Sequence, residues 1–99
     1  MSYQYQFHET AQFEYEESLL WYLLGSEKAA SNFILAFDET LSLICNHPKR
    51  WRNMYKSFRE LNIRKYPFTI VYAIDDKLKL VTIISVYHHK RNPKNKYIK

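Results

Sequence analysis

Residues 3–8, Tyr-Gln-Tyr-Gln-Phe-His, alternate aromatic and polar positions. That is the period of a strand with one buried face, so the chain is expected to open with a strand. Thr10 is placed to cap a following helix, in which Phe13, Leu19, Leu20, Leu23 and Leu24 fall largely on one side. Gly25, the single glycine, is expected to end that helix in a left-handed conformation. Ser26 reads as the N-cap of a second helix, with Glu27 in the first turn where the helix dipole favours acid. Ala30, Phe33, Ile34, Phe37, Leu41, Ile44 and Cys45 then recur at three- and four-residue steps, the clearest helical period in the chain. Asn46-His47-Pro48 stops it, because a residue before proline avoids helical angles. With almost no linker at Gly25-Ser26, the two helices should form an antiparallel hairpin.

Residues 49–57 show no clean period and read as a basic, aromatic loop. Three strand-like runs follow. Phe58–Lys65 puts Leu61 and Ile63 on one face, Phe68–Asp75 is nearly continuously apolar and β-rich, and Leu78–Tyr87 is again β-branched and apolar. Tyr66-Pro67 and Asp75-Asp76-Lys77 supply the turns between them. The predicted order is β-α-α-β-β-β. The fold class is α+β, with a helical hairpin packed on one face of a mostly antiparallel sheet.

The 99 residues suit one domain, spanning 1–99, with a basic tail from about residue 90. A hydrophobic fraction of 46% and an aromatic fraction of 17% provide enough apolar area to offset the entropy of ordering, which excludes wholesale disorder. Lys and Arg number 15 against 10 Asp and Glu, a net charge of +5, which suits an anionic partner. The charge is segregated. Acid concentrates in residues 9–39 and base in residues 49–65 and 88–99. The lone cysteine, Cys45, sits on the apolar face of the second helix and reads as a buried small hydrophobe, as expected of a cytoplasmic chain. No secretory signal is visible at the N-terminus, and no apolar run approaches the roughly 20 residues of a membrane span. His8 and His47 read as surface or cap residues. No histidine or cysteine spacing suggests a metal site, the single glycine excludes a phosphate-binding glycine loop, and no cofactor is expected.

Several stretches taken in order resemble the RelE/ParE toxin superfamily, from about Tyr3 to Pro93. They are Tyr15…Trp21-Tyr22 on the first helix, Ser26-x-x-Ala29-Ala30-x-x-Phe33 and Leu41-x-x-Ile44-x-x-x-Pro48 on the second, Arg59-Glu60-Leu61…Tyr66-Pro67-Phe68-x-Ile70-x-Tyr72 in the central hairpin, and the closing Ile83-Ile84-x-Val86-Tyr87-His88-His89-Lys90-Arg91-Asn92-Pro93. The Pro48 stop, the Tyr66-Pro67 turn and the His88-x-x-Arg91-x-Pro93 ending are more ParE-like than RelE-like. The resemblance implies the toxin of a type II toxin–antitoxin pair, inhibiting growth and held inactive by an antitoxin whose acidic, flexible segment folds on binding. ParE-like members resemble inhibitors of DNA gyrase, which need only an interaction surface. RelE-like members resemble ribosome-dependent endonucleases that cut mRNA without a metal.

Each branch points to different residues. RNA cleavage by attack of the 2′-hydroxyl needs a base, cations around the phosphorane and an acid for the leaving oxygen. For the RelE-like branch Arg59, by its match to the family, would clamp the phosphate, with Tyr87 and His89 (or His88) as stacking, acid or base groups. By strand alternation Tyr87 and His89 share one face and His88 takes the other. Lys49, Arg50, Arg52, Lys56, Arg64, Lys90 and Arg91 are the candidate phosphate or nucleic-acid contacts. The bland alternative pairs Arg59 with Glu60 or a helix-1 carboxylate and leaves the other cations as solvated edges. For a protein-binding toxin the candidates are Trp21 and Tyr22 on the first helix and Trp51 and Tyr55 in the loop. For most of those helix rings core packing is the favoured reading, and the loop rings equally suit a lid packed on the sheet. A non-toxic nucleic-acid-binding module is the third class, which the basic loop and tail permit and no recognition motif singles out.

Overall fold

The computed structural model describes residues 2–90. Arg91 and the rest of the basic tail, including Asn92-Pro93, lie outside the described residues. The order is β1 (Gln4–Phe7), α1 (Glu9–Gly25), α2 (Glu27–Asn46), β2 (Asn53–Tyr55), β3 (Phe58–Asn62), β4 (Phe68–Asp75) and β5 (Leu80–His88). The five strands form one mixed sheet in the order β1-β5-β4-β3-β2. Among the described residues only the β1–β5 pair is parallel. Two helices packed on this sheet make the expected α+β fold.

α2 behaves as its sequence period requires. Phe33, Phe37, Leu41 and Ile44 are buried and meet Ile70, Tyr72, Val81, Ile83 and Val86 from the sheet in one core. Ser26 caps it, its Oγ accepting from the Ala29 N–H at 2.9 Å. Tyr15 of α1 meets Phe33 and Phe37 while Tyr22, two turns on, meets Phe33, so the helices run antiparallel.

Four expectations need correction. The cap of α1 is His8, not Thr10: the His8 N–H is held by the Ile83 carbonyl at 2.8 Å, which makes His8 the last extended residue, and its Nδ1 accepts from the Thr10 N–H at 3.2 Å. Gly25 is not left-handed. It stays helical, and the extended Ser26 both ends α1 and caps α2. The stretch 49–57 contains the short strand β2, joined to β3 through Lys56 at φ 52°. Lys-Ser is not the Asn-Gly type of pair that announces such a turn, so the pattern hid it. Finally, most of the apolar side of α1 does not face the core, although Leu19, Tyr15 and Tyr22 pack partly against it. The helix's buried side chains are Ala11, Glu14 and Ser18, whereas Phe13, Leu20, Leu23 and Leu24 are exposed.

The strand ends also move. β3 stops at Asn62, because Ile63 and Lys65 (φ 70°) form a turn closed by Tyr66 N–H to Ile63 O at 3.1 Å. β5 begins at Leu80, after a turn in which Asp75 Oδ1 accepts from the Leu78 N–H at 3.1 Å.

Candidate functional site

The sheet separates the predicted site residues by face. Phe68, Ile70 and Tyr72 of β4 enter the core beneath the helices, which puts Thr69 and Val71 on the opposite face. Arg59 pairs with Tyr72 and so lies on the helix side, whereas Tyr87 pairs with Thr69 and lies on the far side. Arg59, Tyr87 and His89 are therefore not brought together.

Arg59 is anchored locally. Its Nη1 donates to the carbonyl of Trp51 at 2.7 Å and to that of Lys49 at 3.1 Å. Tyr72, its cross-strand partner, donates its hydroxyl to Pro48 O at 2.6 Å, and burial pushes the phenol well above its ordinary value, with Arg59 opposing. Together they tie the 48–51 segment to the sheet. Among the described residues that guanidinium meets these two carbonyls, not Glu60 or an α1 carboxylate. Trp51 is half-buried against the core, with Nε1 3.5 Å from Leu43 O, so it packs as a lid. Tyr55 stays exposed beside Phe58.

The cations near this segment line its outer edge. Lys49 pairs with Asp76 at 3.0 Å, Arg50 lies 5.0 Å over the Trp51 ring and Lys56 5.3 Å over that of Tyr55. Arg52 and Arg64 are exposed. The hydrogen bonds from Tyr3 and then Lys49 hold the Asp76 carboxyl below its usual range.

On the far face His89 is exposed, with Nε2 2.9 Å from Thr69 Oγ1 and its backbone N–H on Pro67 O at 3.0 Å. The Thr69 hydroxyl donates to Asn62 Oδ1. Having given its one proton to Asn62, the hydroxyl is left as an acceptor toward His89 Nε2. Tyr87, next to this chain of contacts, is buried.

His88 goes the other way, edge-on to Phe68 with ring centres 4.9 Å apart. It borders an open groove of about 640 Å³ between the second half of α1 and the sheet. Trp21 and Tyr22 form one wall, Pro67 and Phe68 the other, and Glu17 and Lys90 contribute the charges. Burial and then the Tyr66 ring push the Tyr22 phenol upward. Of the sequence candidates, Trp21, Tyr22 and Lys90 thus meet in this groove. Pro67, Phe68 and Glu17 were not among them, because only the tertiary approach of α1 to the β3–β4 turn makes them neighbours. Aromatic walls, an imidazole and an ammonium group suit recognition of a chain segment bearing apolar and acidic side chains.

Among the described residues no three His, Cys, Asp or Glu side chains cluster closely enough to hold a metal ion. None of the described helices is long and apolar enough to cross a membrane.

Comparison with known proteins bears on this arrangement. The sequence model of the ParE toxin of the type II toxin–antitoxin system parDE matches residues 5–93. No curated protein matches significantly. Among solved structures, the chain is similar to one from the chromosomal ParDE toxin–antitoxin system of P. aeruginosa, at 15% identity and TM-score 0.71, over 88% of this chain and 96% of that one. It is also similar to the isolated E. coli RelE toxin, at 16% identity and TM-score 0.62, over 96% and 93%. A chain of the RelBE2 toxin–antitoxin complex of Mycobacterium tuberculosis is similar at 16% identity and TM-score 0.58, over 89% and 99%. At such identities the structural likeness shows a shared fold, but the sequence match covers nearly the whole chain: this protein belongs to the ParE toxin family of type II toxin–antitoxin systems.

Proposed function

We propose that this chain arrests bacterial growth in the cytoplasm by binding DNA gyrase, and that a cognate antitoxin neutralises it. The observation that carries this reading over the nuclease one is the separation of Arg59 from Tyr87 and His89. A clamp for the scissile phosphate must sit with its acid and base around one group, and here Arg59 is on the helix side, turned to two backbone carbonyls. Inhibition by binding needs no such convergence. The family match points the same way.

The antitoxin reading rests on the groove. Its apolar walls accept the non-polar side chains of a segment that folds on binding, and Lys90 and His88 meet its acidic ones. Lys49, Arg50, Arg52 and Lys56 lie outside the groove, Lys49 beside Asp76 past the other end of β4, and would speed capture by long-range attraction.

The RelE-like alternative keeps one supporting observation, the Asn62–Thr69–His89 chain that orients an imidazole. Controlled expression in a bacterial host with pulse labelling separates the two. The gyrase reading expects DNA synthesis to fall first, with filamentation, and His89→Ala to remain toxic. A prompt fall in translation with cleaved mRNA, abolished by His89→Ala, would replace it with the nuclease reading.

A further inference from the structure

Strand β5 is interrupted, and the interruption decides what the groove presents. Tyr72 pairs with Ile83, yet Val71 pairs with Ser85, so Ile84 is an extra residue on one strand. In an unbroken strand the residues sharing a face with Val81 and Ile83 would be Ser85, Tyr87 and His89. Instead Val81, Ile83 and Val86 join the core, and His88 follows Val86 to the helix side. A one-residue slip exchanges every side chain beyond it between the two faces. Here it brings His88 to the groove and sends Tyr87 and His89 away.

Glu14 of α1 stands at that slip. It is only 7% exposed, and acids are almost never so buried unless paired. Its Oε1 accepts from Ser85 Oγ at 2.9 Å and from the Val86 N–H at 3.0 Å. Both donors belong to the bulge or the residue just after it, where a regular ladder is broken and a buried donor needs another partner. Ala11 and Ser18, one turn to either side of Glu14 on the same buried face, are small enough to let α1 approach β5 closely.

The geometry points to Glu14 as a positioning residue for the groove: its carboxyl oxygen pins the bulge of β5, and the pinned bulge is what turns His88, rather than Tyr87 or His89, toward Trp21 and Phe68. The pin stands on the sheet geometry alone. Its consequence for antitoxin binding rests on the reading proposed above.

Two-dimensional NMR of the full chain tests it, through the exchange rate of the Val86 amide and the proton contact between the His88 and Phe68 rings. Glu14→Gln keeps a carbonyl acceptor and is expected to preserve both. Glu14→Leu keeps the volume and loses the acceptor. Its helix and strand content should persist by circular dichroism, while Val86 exchange rises on the order of tenfold or more, as for a locally opened segment, and the Phe68 contact passes to Tyr87 or His89. A Glu14→Leu protein that keeps slow Val86 exchange and the His88–Phe68 contact overturns the proposal. If Glu14→Leu fails to fold, Ser85→Ala, which removes one of the two donors, takes its place. Faster Val86 exchange with a weakened His88 contact supports the pin, and unchanged values overturn it. A third variant separates the two readings. If His88→Ala leaves antitoxin affinity unchanged while Glu14→Leu still shifts the ring contact, the pin holds and the groove is not the antitoxin's seat.

Discussion

α1 and α2 are joined through a single residue, have similar lengths and are both rich in large apolar side chains, yet they use them in opposite ways. α2 points its phenylalanines into the core. α1 buries an alanine, a glutamate and a serine, and leaves Phe13 at 62%, Trp21 at 70% and Leu24 at 79% exposure. Phe13, Leu20 and Leu24 lie seven and four residues apart, along one side of the helix. The inner face of α1 is shaped by the bulge in β5 that it must meet closely. Its outer face is an apolar surface of the kind that marks a binding site. α2 stabilises the fold, and α1 organises and borders the surface a partner would use.

The contrast can be broken most sharply at the two ends of that scale. Phe37→Ala in α2 removes a buried ring that stacks on Phe7 and packs against Tyr15, and should cost about 3–5 kcal/mol by urea denaturation. Trp21→Ala in α1 should leave that stability within about 0.5 kcal/mol, as exposed substitutions do. It should instead weaken antitoxin binding by roughly 2 kcal/mol in a calorimetric titration, the scale of an aromatic hot spot. A Trp21→Ala protein that unfolds easily and binds normally would reverse the division of labour.

Smaller effects sharpen the comparison at the helix junction. Ser26→Ala removes the hydroxyl that caps α2 and should lower the melting midpoint, with a loss of about 1 kcal/mol. Gly25→Ala should raise stability by about 0.4–1 kcal/mol, since the residue is helical and a Cβ there meets nothing within 4 Å. Had Gly25 been left-handed, the same change would destabilise, so its sign checks the junction directly.

The smallest effect lies away from the helices, where Asp76 joins the β4–β5 turn to Tyr3 and Lys49. Its folded value is lowered, so its contribution is present above the ordinary aspartate range and is lost as pH falls through the folded value. Stability of Asp76→Asn should therefore show a slightly flatter acid limb than wild type. Because the pair is exposed, added salt should shrink the difference.

The order of elements, the α2 core face, the Ser26 cap and the two large hairpins of the sheet were legible along the chain, because each is written in local periodicity or in turn chemistry. The family resemblance was legible for the same reason, through residues spaced along those elements. The inward face of α1 was not legible, since Phe13, Leu20 and Leu24 carry a helical period that would suit a core as well as a partner. β2 was not legible either, because its three exposed residues and left-handed Lys56 follow no strand pattern.

The candidate site divides similarly. Strand alternation correctly separated His88 from its neighbours Tyr87 and His89, as local parity alone requires. Which of the two faces each would occupy depends on a one-residue bulge, and the bulge depends on a carboxyl group 71 residues away in sequence. By itself the sequence determined a helical hairpin, four of the five strands and a family. Only the tertiary structure decided that Arg59 belongs to a loop anchor, that His88 belongs to a groove, and that α1 keeps Phe13, Leu20, Leu23 and Leu24 outside. Those outcomes are set by contacts between distant segments, where one buried hydrogen-bond acceptor must meet its donors, and no local pattern records that requirement.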